Sequence, residues 1–200
     1  MLRSWSLTAV CAFTILLGSW NLLAGAPSGA SGLNQLRTFL DNGFEAARAQ
    51  DWRRAVDALE AGLSIARKEA PLEVRKAVVV HQAHTGIGLY EPATGGEIKD
   101  QELNLYVEVA NFENKSVGKE KFQVKLEVSG EFQLEDGTVL GSRQLGTHAF
   151  QTRSPTGVTS FGIDVRLGQT APKGLYLLKL IVKDLQTKRE AFQNLAFRIP

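Results

Sequence analysis

Two histidines at short spacing, His81 and His84, are the first residues in the sequence whose types and spacing could bind a metal. On a helix this spacing places both imidazoles on one face, whereas on a strand it places them on opposite faces. The apolar run 77–80 predicts a strand, although a continuing helix stays open, and no cysteine or carboxylate follows at ligand spacing. His148 is isolated in the sequence. We therefore expect no metal, no cofactor, and histidines that are exposed or hydrogen bonded.

No local arrangement of residues indicates catalysis. The sequence has no G-x-S-x-G motif and no local grouping of serine with histidine and aspartate, and a triad built from distant residues stays open. Glu135 and Asp136 are neighbours at a predicted turn, whereas glycoside hydrolysis needs two carboxyls that face each other across a cleft. The glycines at 86–88 and 95–96 do not lead into helices, so they do not predict a phosphate-binding loop. We expect a protein that is not an enzyme.

Two tyrosines offer the remaining possibility of a ligand site. Tyr106 lies between Leu105 and Val107, which are predicted to face inwards, so its ring is predicted to point outwards. Tyr90 is the second candidate, and together they would let a β-sandwich contact a carbohydrate through flat rings. The other interpretation of Tyr106 is a ring that covers neighbouring strands or the helices. Carbohydrate binding is therefore the alternative function.

Charge excludes one class of partner. The chain has 23 Lys and Arg against 21 Asp and Glu, which gives a formal net charge of +2. The two signs are also balanced along the sequence, with no basic segment that would attract phosphates. We expect no binding to nucleic acid.

The N-terminus has the pattern of an export signal. Arg3 precedes a mostly apolar run at 7–23, and an A-x-A-like cleavage site follows at 24–26, so residues 1–26 are predicted to be a signal peptide. An uncleaved membrane anchor is the alternative, and it would be the protein's one contact with a membrane. Cys11 is the only cysteine, so the cleaved chain has no disulfide. These features predict an exported protein of the bacterial periplasm or cell envelope, or a secreted one.

A short linker at 27–32 leads into a predicted helical hairpin at 33–75. Asp51 is a good N-cap for the second helix. Apolar residues recur at helical spacing in both helices and predict an inner face that docks on the following domain, with Trp52 as its core anchor. The residues of this face are Leu33, Leu36, Leu40, Phe44, Ala47, Trp52, Ala55, Val56, Leu59, Leu63 and Ala66.

The hairpin also resembles a tetratricopeptide unit. The segment 51–55, Asp-Trp-Arg-Arg-Ala, is similar to the turn of that family, and Leu59 and Gly62 fall where a large and a small residue are expected. Phe39 and Gly43 fit the corresponding sites of the first helix. Only one unit is present, and stacked repeats need three or more, so no concave peptide groove is implied.

From position 76 onwards the apolar period changes to two, which predicts strands. Alternating runs occur at 103–109, 122–128, 161–167 and 195–199, and Asp136-Gly137 is a strong hairpin turn. The stretch 171–184 is apolar on both faces, so we expect its strand to be central. About seven strands separated by turns predict an antiparallel β-sandwich over 76–200.

One motif in this region resembles the tyrosine corner of immunoglobulin-like sandwiches. It is Gly174-Leu175-Tyr176-Leu177-Leu178, in which Leu178 stands where the family has its second core cysteine. The resemblance implies a hydrogen bond from the Tyr176 hydroxyl to backbone a few residues upstream. It also implies structural roles for Gly174 and Leu178. The fold class is therefore mainly β: an antiparallel Ig-like β-sandwich with an N-terminal helical hairpin.

The whole chain resembles exported bacterial proteins that end in an immunoglobulin-like domain. Both this family and the tetratricopeptide family mostly bind proteins, so the resemblances imply a non-catalytic protein–protein interaction or envelope-structural module. The expected partner is another envelope protein. The alternative is a carbohydrate-binding accessory module that uses Tyr90 and Tyr106.

Overall fold

A computed structural model describes residues 29–82, 86–168 and 171–200. The predicted signal segment 1–26 and His84 lie outside these ranges. Two helices precede eight strands, so the prediction of a mainly β chain with an N-terminal helical hairpin is confirmed. In chain order the elements are α1 (Gly29–Arg48), α2 (Trp52–Glu69), β1 (Glu73–Val80), β2 (Glu102–Ala110), β3 (Lys115–Gly118), β4 (Lys121–Leu134), β5 (Val139–Thr152), β6 (Val158–Arg166), β7 (Gly174–Asp184) and β8 (Glu190–Ile199).

The strands form two antiparallel sheets. The first has the order β1-β2-β6, and the second has the order β3-β4-β7-β8 with β5 paired to β4. β7 lies between β4 and β8, which agrees with the two-sided apolar pattern that predicted a central strand. β1 begins at Glu73, three residues before the predicted change to strand period, and the question of helix or strand is resolved as strand over 73–80.

The core lies between the sheets and follows from the period-two pattern. Alternate side chains of β2 point into it and are fully buried, as are those of β4 and β7 that face them. Each fully buried Val or Leu contributes about 1.5–3 kcal/mol relative to an exposed one. The inward residues are Leu103, Leu105, Val107 and Val109 on β2, Val124, Leu126 and Val128 on β4, and Leu178, Leu180 and Val182 on β7.

The start of β7 has the geometry that the tyrosine-corner resemblance implies. Gly174 has a φ of +145°, a conformation that favours glycine. The Tyr176 hydroxyl donates a hydrogen bond to the carbonyl of Pro172 at 2.7 Å, and its ring stacks on Phe197 with 5.2 Å between centroids. Leu178 fills the place of the cysteine and is fully buried. The corner thus closes the end of the sandwich with one buried hydroxyl and no disulfide.

The two helices contact each other through small residues. In residues 31–69 every buried position is a glycine or an alanine: Gly43, Ala46, Ala55 and Gly62. A Cβ at Gly62 would lie 3.4 Å from atoms of Leu36 and Phe39 on the other helix. Because the helices meet where their side chains are smallest, the larger apolar side chains are left beside this contact.

The predicted docking of the apolar face on the sandwich is therefore wrong. Trp52 was predicted to be a core anchor, and its side chain is 66% exposed. The physical reason is that α2 meets the sandwich through polar groups at its C-terminal end, and Trp52, Val56 and Leu59 of the apolar stripe do not line the cleft on that side. The helical periodicity identified the apolar stripe correctly, but the prediction that the sandwich covers this stripe was wrong.

Candidate functional site

The two tyrosines predicted as ligand contacts form a closed cluster. Tyr106 lies on the outer face of the β1-β2-β6 sheet, as its alternation predicted, but it is fully buried. Its ring stacks on Tyr90 with 4.6 Å between centroids. The Tyr106 hydroxyl accepts from the Gly88 amide at 2.8 Å and donates to Glu108 Oε1 at 2.6 Å. The segment 86–90 therefore covers the sheet at this point.

This cluster corrects the prediction that Tyr106 is available to a ligand. Tyr90 is half-buried, and its hydroxyl accepts a hydrogen bond from Lys76 Nζ. Burial raises the pKa of Tyr106, and the hydrogen bond to Glu108 acts in the same direction, so the phenol stays protonated. The hydrogen bond with Tyr90 raises the pKa of Lys76, so the ammonium keeps its charge. The Tyr106 phenol and the Lys76 ammonium both stay protonated, so neither of them can act as a base.

The histidines do not converge. His81 is exposed at the end of β1, and His148 lies half-buried on β5 with its ring stacked on Phe161 at 4.4 Å between centroids. Thr159 Oγ1 lies 3.4 Å from His148 Nε2, and burial lowers the pKa of His148. Within the described ranges no three His, Cys, Asp or Glu residues are grouped as metal ligands would be.

The adjacent carboxylates lie in a hairpin turn between β4 and β5. Asp136 Oδ1 accepts from the Thr138 amide at 2.8 Å, and this hydrogen bond lowers the pKa of Asp136. Glu135 is exposed beside it. The pair therefore stabilises a turn, which is the role that Asp favours in such loops.

Three of the clefts between the described residues are open to solvent. A polar one of about 500 Å³ lies where β1 ends and β2 begins, and one of its carboxylates, Glu102, pairs with Arg166 at 2.8 Å. A mostly apolar one of about 310 Å³ lies beside Tyr176 and Phe197 at the end of the sandwich. The third, of about 740 Å³, separates the polar side of α2 from the sandwich. None of them unites the residues that the sequence predicted as a site.

The largest unexplained feature is an apolar surface on the helical hairpin, which we call the hairpin face. Its side chains are between 39% and 67% exposed. On each helix they lie to one side of the line of contact between the helices, and because the helices are antiparallel, both stripes fall on the same side. Neither described helix is long and apolar enough to cross a membrane. The residues of the hairpin face are Leu33, Leu40, Phe44, Trp52, Val56, Leu59 and Leu63.

A polar junction fixes the hairpin to the sandwich. The Arg189 guanidinium donates to the carbonyls of Ala70 at 2.7 Å, Lys68 at 3.4 Å and Asn111 at 2.9 Å. The Asn111 side-chain amide donates to the Pro71 carbonyl at 3.0 Å. A cation at the C-terminal end of α2 suits the helix dipole and its free carbonyls. Sequence reasoning missed Arg189, because its partners lie between 78 and 121 positions away.

Neither a known family nor a curated protein matches the sequence. Similar solved structures include a family 123 glycoside hydrolase from Clostridium perfringens, at 12% identity and a TM-score of 0.34 over 50% of this chain. Others are the β-glucuronidase 2 of Bacteroides uniformis (15%, 0.29, 63%) and the alkylpurine DNA glycosylase AlkC of Pseudomonas fluorescens (12%, 0.36, 82%). The chain spans 21%, 12% and 42% of these structures, respectively. At these scores the likeness carries no functional assignment.

Proposed function

We propose that this chain is an exported, non-catalytic protein–protein interaction module of the bacterial cell envelope. The single observation that carries the proposal is the hairpin face. Monomeric proteins rarely expose a contiguous apolar patch of this size, and such patches mark sites of contact with a partner. Trp52 and Phe44, at 66% and 67% exposure, are of the residue types that dominate binding energy at interfaces.

Export rests on the N-terminal sequence. The charged start, the apolar run at 7–23 and the A-x-A-like site support a signal peptide, and the absence of cysteine after Cys11 suits a chain that folds without disulfides. The immunoglobulin-like and tetratricopeptide-like resemblances support a binding role in the envelope. In this view the sandwich is the carrier, and the hairpin makes the contact.

The non-catalytic part of the proposal is supported by the way in which the candidate groups are used. The hydroxyl of Tyr106, the carboxylate of Asp136 and the ring of His148 each have a structural partner. The carbohydrate alternative is less well supported, because Tyr106 is covered and Tyr90 stacks on it.

Site-specific photocrosslinking in living cells tests this function. A photoreactive side chain at Phe44 is expected to capture a protein in the envelope fraction, whereas the same group at Thr38, an exposed polar position of α1, is expected to capture none. Equal labelling from the two positions, or recovery of the chain only from the cytoplasm, would contradict the proposal.

A further inference from the structure

The spacing of the hairpin face defines the kind of partner that it fits. On α2 the residues Trp52, Val56, Leu59 and Leu63 follow each other at intervals of four, three and four. This alternation fits the seam of a helix that packs against another helix, knobs into holes, at a small crossing angle. A flat sheet or a lipid surface does not require it.

Helix α1 has the same alternation at its exposed stripe. Its positions are Leu33, Arg37, Leu40, Phe44 and Ala47, at intervals of four, three, four and three. Arg37 is the only charged residue in either seam, and its guanidinium is paired with Asp41 at 3.8 Å in solvent. Two antiparallel helices with parallel seams on one side are half of a four-helix bundle.

Resting on the proposed function, we propose that the partner is a second copy of this chain. The hairpin faces of two copies pack against each other about a two-fold axis and form a four-helix bundle that carries two sandwiches. A two-fold contact uses the same patch on both subunits, so the two hairpins together supply the four helices of the bundle.

The area of the hairpin face agrees with this arrangement. An aromatic side chain buries about 150–250 Å², so seven large side chains at 39% to 67% exposure present on the order of 800 Å². A stable protein–protein interface buries about 800 Å² on each partner. The face is therefore large enough for a stable dimer without a contribution from the sandwich.

The charge of the hairpin also favours its own copy. Residues 29–69 contain six basic and six acidic side chains, so two hairpins do not repel each other through net charge. A surface helix that binds an anionic bilayer is instead rich in Lys and Arg on its polar side. Balanced charge around an apolar centre is the composition of a helix–helix contact.

The junction with the sandwich leaves the hairpin face accessible. The contacts of Arg189 and Asn111 lie at residues 68–71, where α2 ends. The cleft beside the sandwich is lined mainly by polar residues of α2, among them Asp57, Glu60 and Ser64. Leu63 lies at the border of that cleft, and the rest of the hairpin face points away from it.

The test is the mass of the purified full chain, in the form that the cell produces, by sedimentation equilibrium. We expect the mass of two chains. The variant Phe44→Lys with Val56→Lys is expected to weaken the dimer by at least about 100-fold in dissociation constant, because two charges would be buried in the seam. Both changes keep or raise helix propensity, and a cation at Phe44 lies near the C-terminal end of α1.

The matched control is Thr38→Lys with Asn42→Lys, which adds the same two charges to exposed positions of α1 outside the hairpin face. It is expected to stay dimeric, and circular dichroism establishes that both variants keep the helical signal. Arg37→Leu completes the seam and is expected to tighten the dimer by about tenfold.

Three results would overturn the proposal. They are a monomeric wild-type chain at about 100 µM, a dimer that Phe44→Lys with Val56→Lys leaves intact, and equal dissociation of the control variant. If the wild-type chain is monomeric while Phe44 still captures another envelope protein in cells, the proposed function stands and the second copy is wrong. A dimer held together by the N-terminal segment would survive the hairpin variant.

Discussion

Replacing Arg189 by alanine tests the junction between helix and sandwich. The guanidinium donates to three backbone carbonyls, of which those of Ala70 at 2.7 Å and Asn111 at 2.9 Å are the short ones. The contact with Lys68 at 3.4 Å is near the limit of a hydrogen bond. One side chain thus binds the end of α2 and the end of β2 together.

The magnitude follows from the two short bonds. A hydrogen bond to a charged group contributes about 1.5–3 kcal/mol when it is buried. Arg189 is half-buried, so water replaces part of that contribution when the side chain is removed. We expect Arg189→Ala to lower the free energy of unfolding by about 2–3 kcal/mol. Arg189→Lys keeps the charge without the forked geometry and is expected to recover less than half of this loss.

The assay is urea unfolding followed by circular dichroism, together with hydrogen exchange of the last turn of α2. The Ala70 amide, which donates to the Ala66 carbonyl at 3.0 Å, is expected to exchange faster in Arg189→Ala. Arg153→Ala removes the same charge from an exposed loop and serves as the control. If Arg189→Ala and Arg153→Ala change the free energy of unfolding equally, the guanidinium does not hold the junction.

Two further predictions concern the sandwich. Tyr176→Phe removes the hydrogen bond to Pro172 and is expected to lower the free energy of unfolding by about 1–2 kcal/mol in urea, whereas an unchanged midpoint would show that the hydroxyl is replaced by water without loss. Burial lowers the pKa of His148 in the folded chain. As the pH falls, this histidine is therefore protonated in the unfolded chain before it is protonated in the folded chain. Stability is therefore full above the unfolded pKa of about 6.5 and falls as pH drops below it. The melting temperature of His148→Gln is expected to lose this dependence between pH 7.5 and 5, whereas His81→Gln, at an exposed position, is expected to keep it.

The sequence predicted those strands in which apolar and polar residues alternate and the apolar side chains lie in the core. β2, β4, β6 and β7 have this pattern, because one face of each is buried between the sheets. β3 has the sequence Lys-Ser-Val-Gly and is exposed at every position, so it has no pattern to detect. β5 has mostly exposed or half-buried side chains over Val139–Thr152, and it is held by pairing with β4 along its length.

For the candidate site, the sequence predicted the face on which each side chain lies, but not what covers that face. Period two placed Tyr106 on the outer face correctly, and helical period placed Trp52 on the apolar stripe correctly. What covers each face depends on contacts between distant segments, such as that of Gly88 with Tyr106 or of Arg189 with Ala70. The pattern of apolar residues in a single sequence does not reveal these contacts. For this reason Tyr106 was wrongly predicted to be exposed and Trp52 was wrongly predicted to be buried.

The two parts of the chain differ in how far each provides its own stability. The sandwich buries complete rows of Leu and Val between its sheets, and its fold needs no partner for that core. The fully buried positions of the hairpin in residues 31–69 are all glycine or alanine, and most of the stability of helices in proteins comes from packing of their apolar face. The contacts described above between the hairpin and the sandwich lie near the C-terminal end of α2, and α1 and α2 otherwise pack on each other. If the proposed partner covers Phe44 and Trp52, we expect its binding to raise the stability of both helices, because a ligand that binds only the folded state stabilises it.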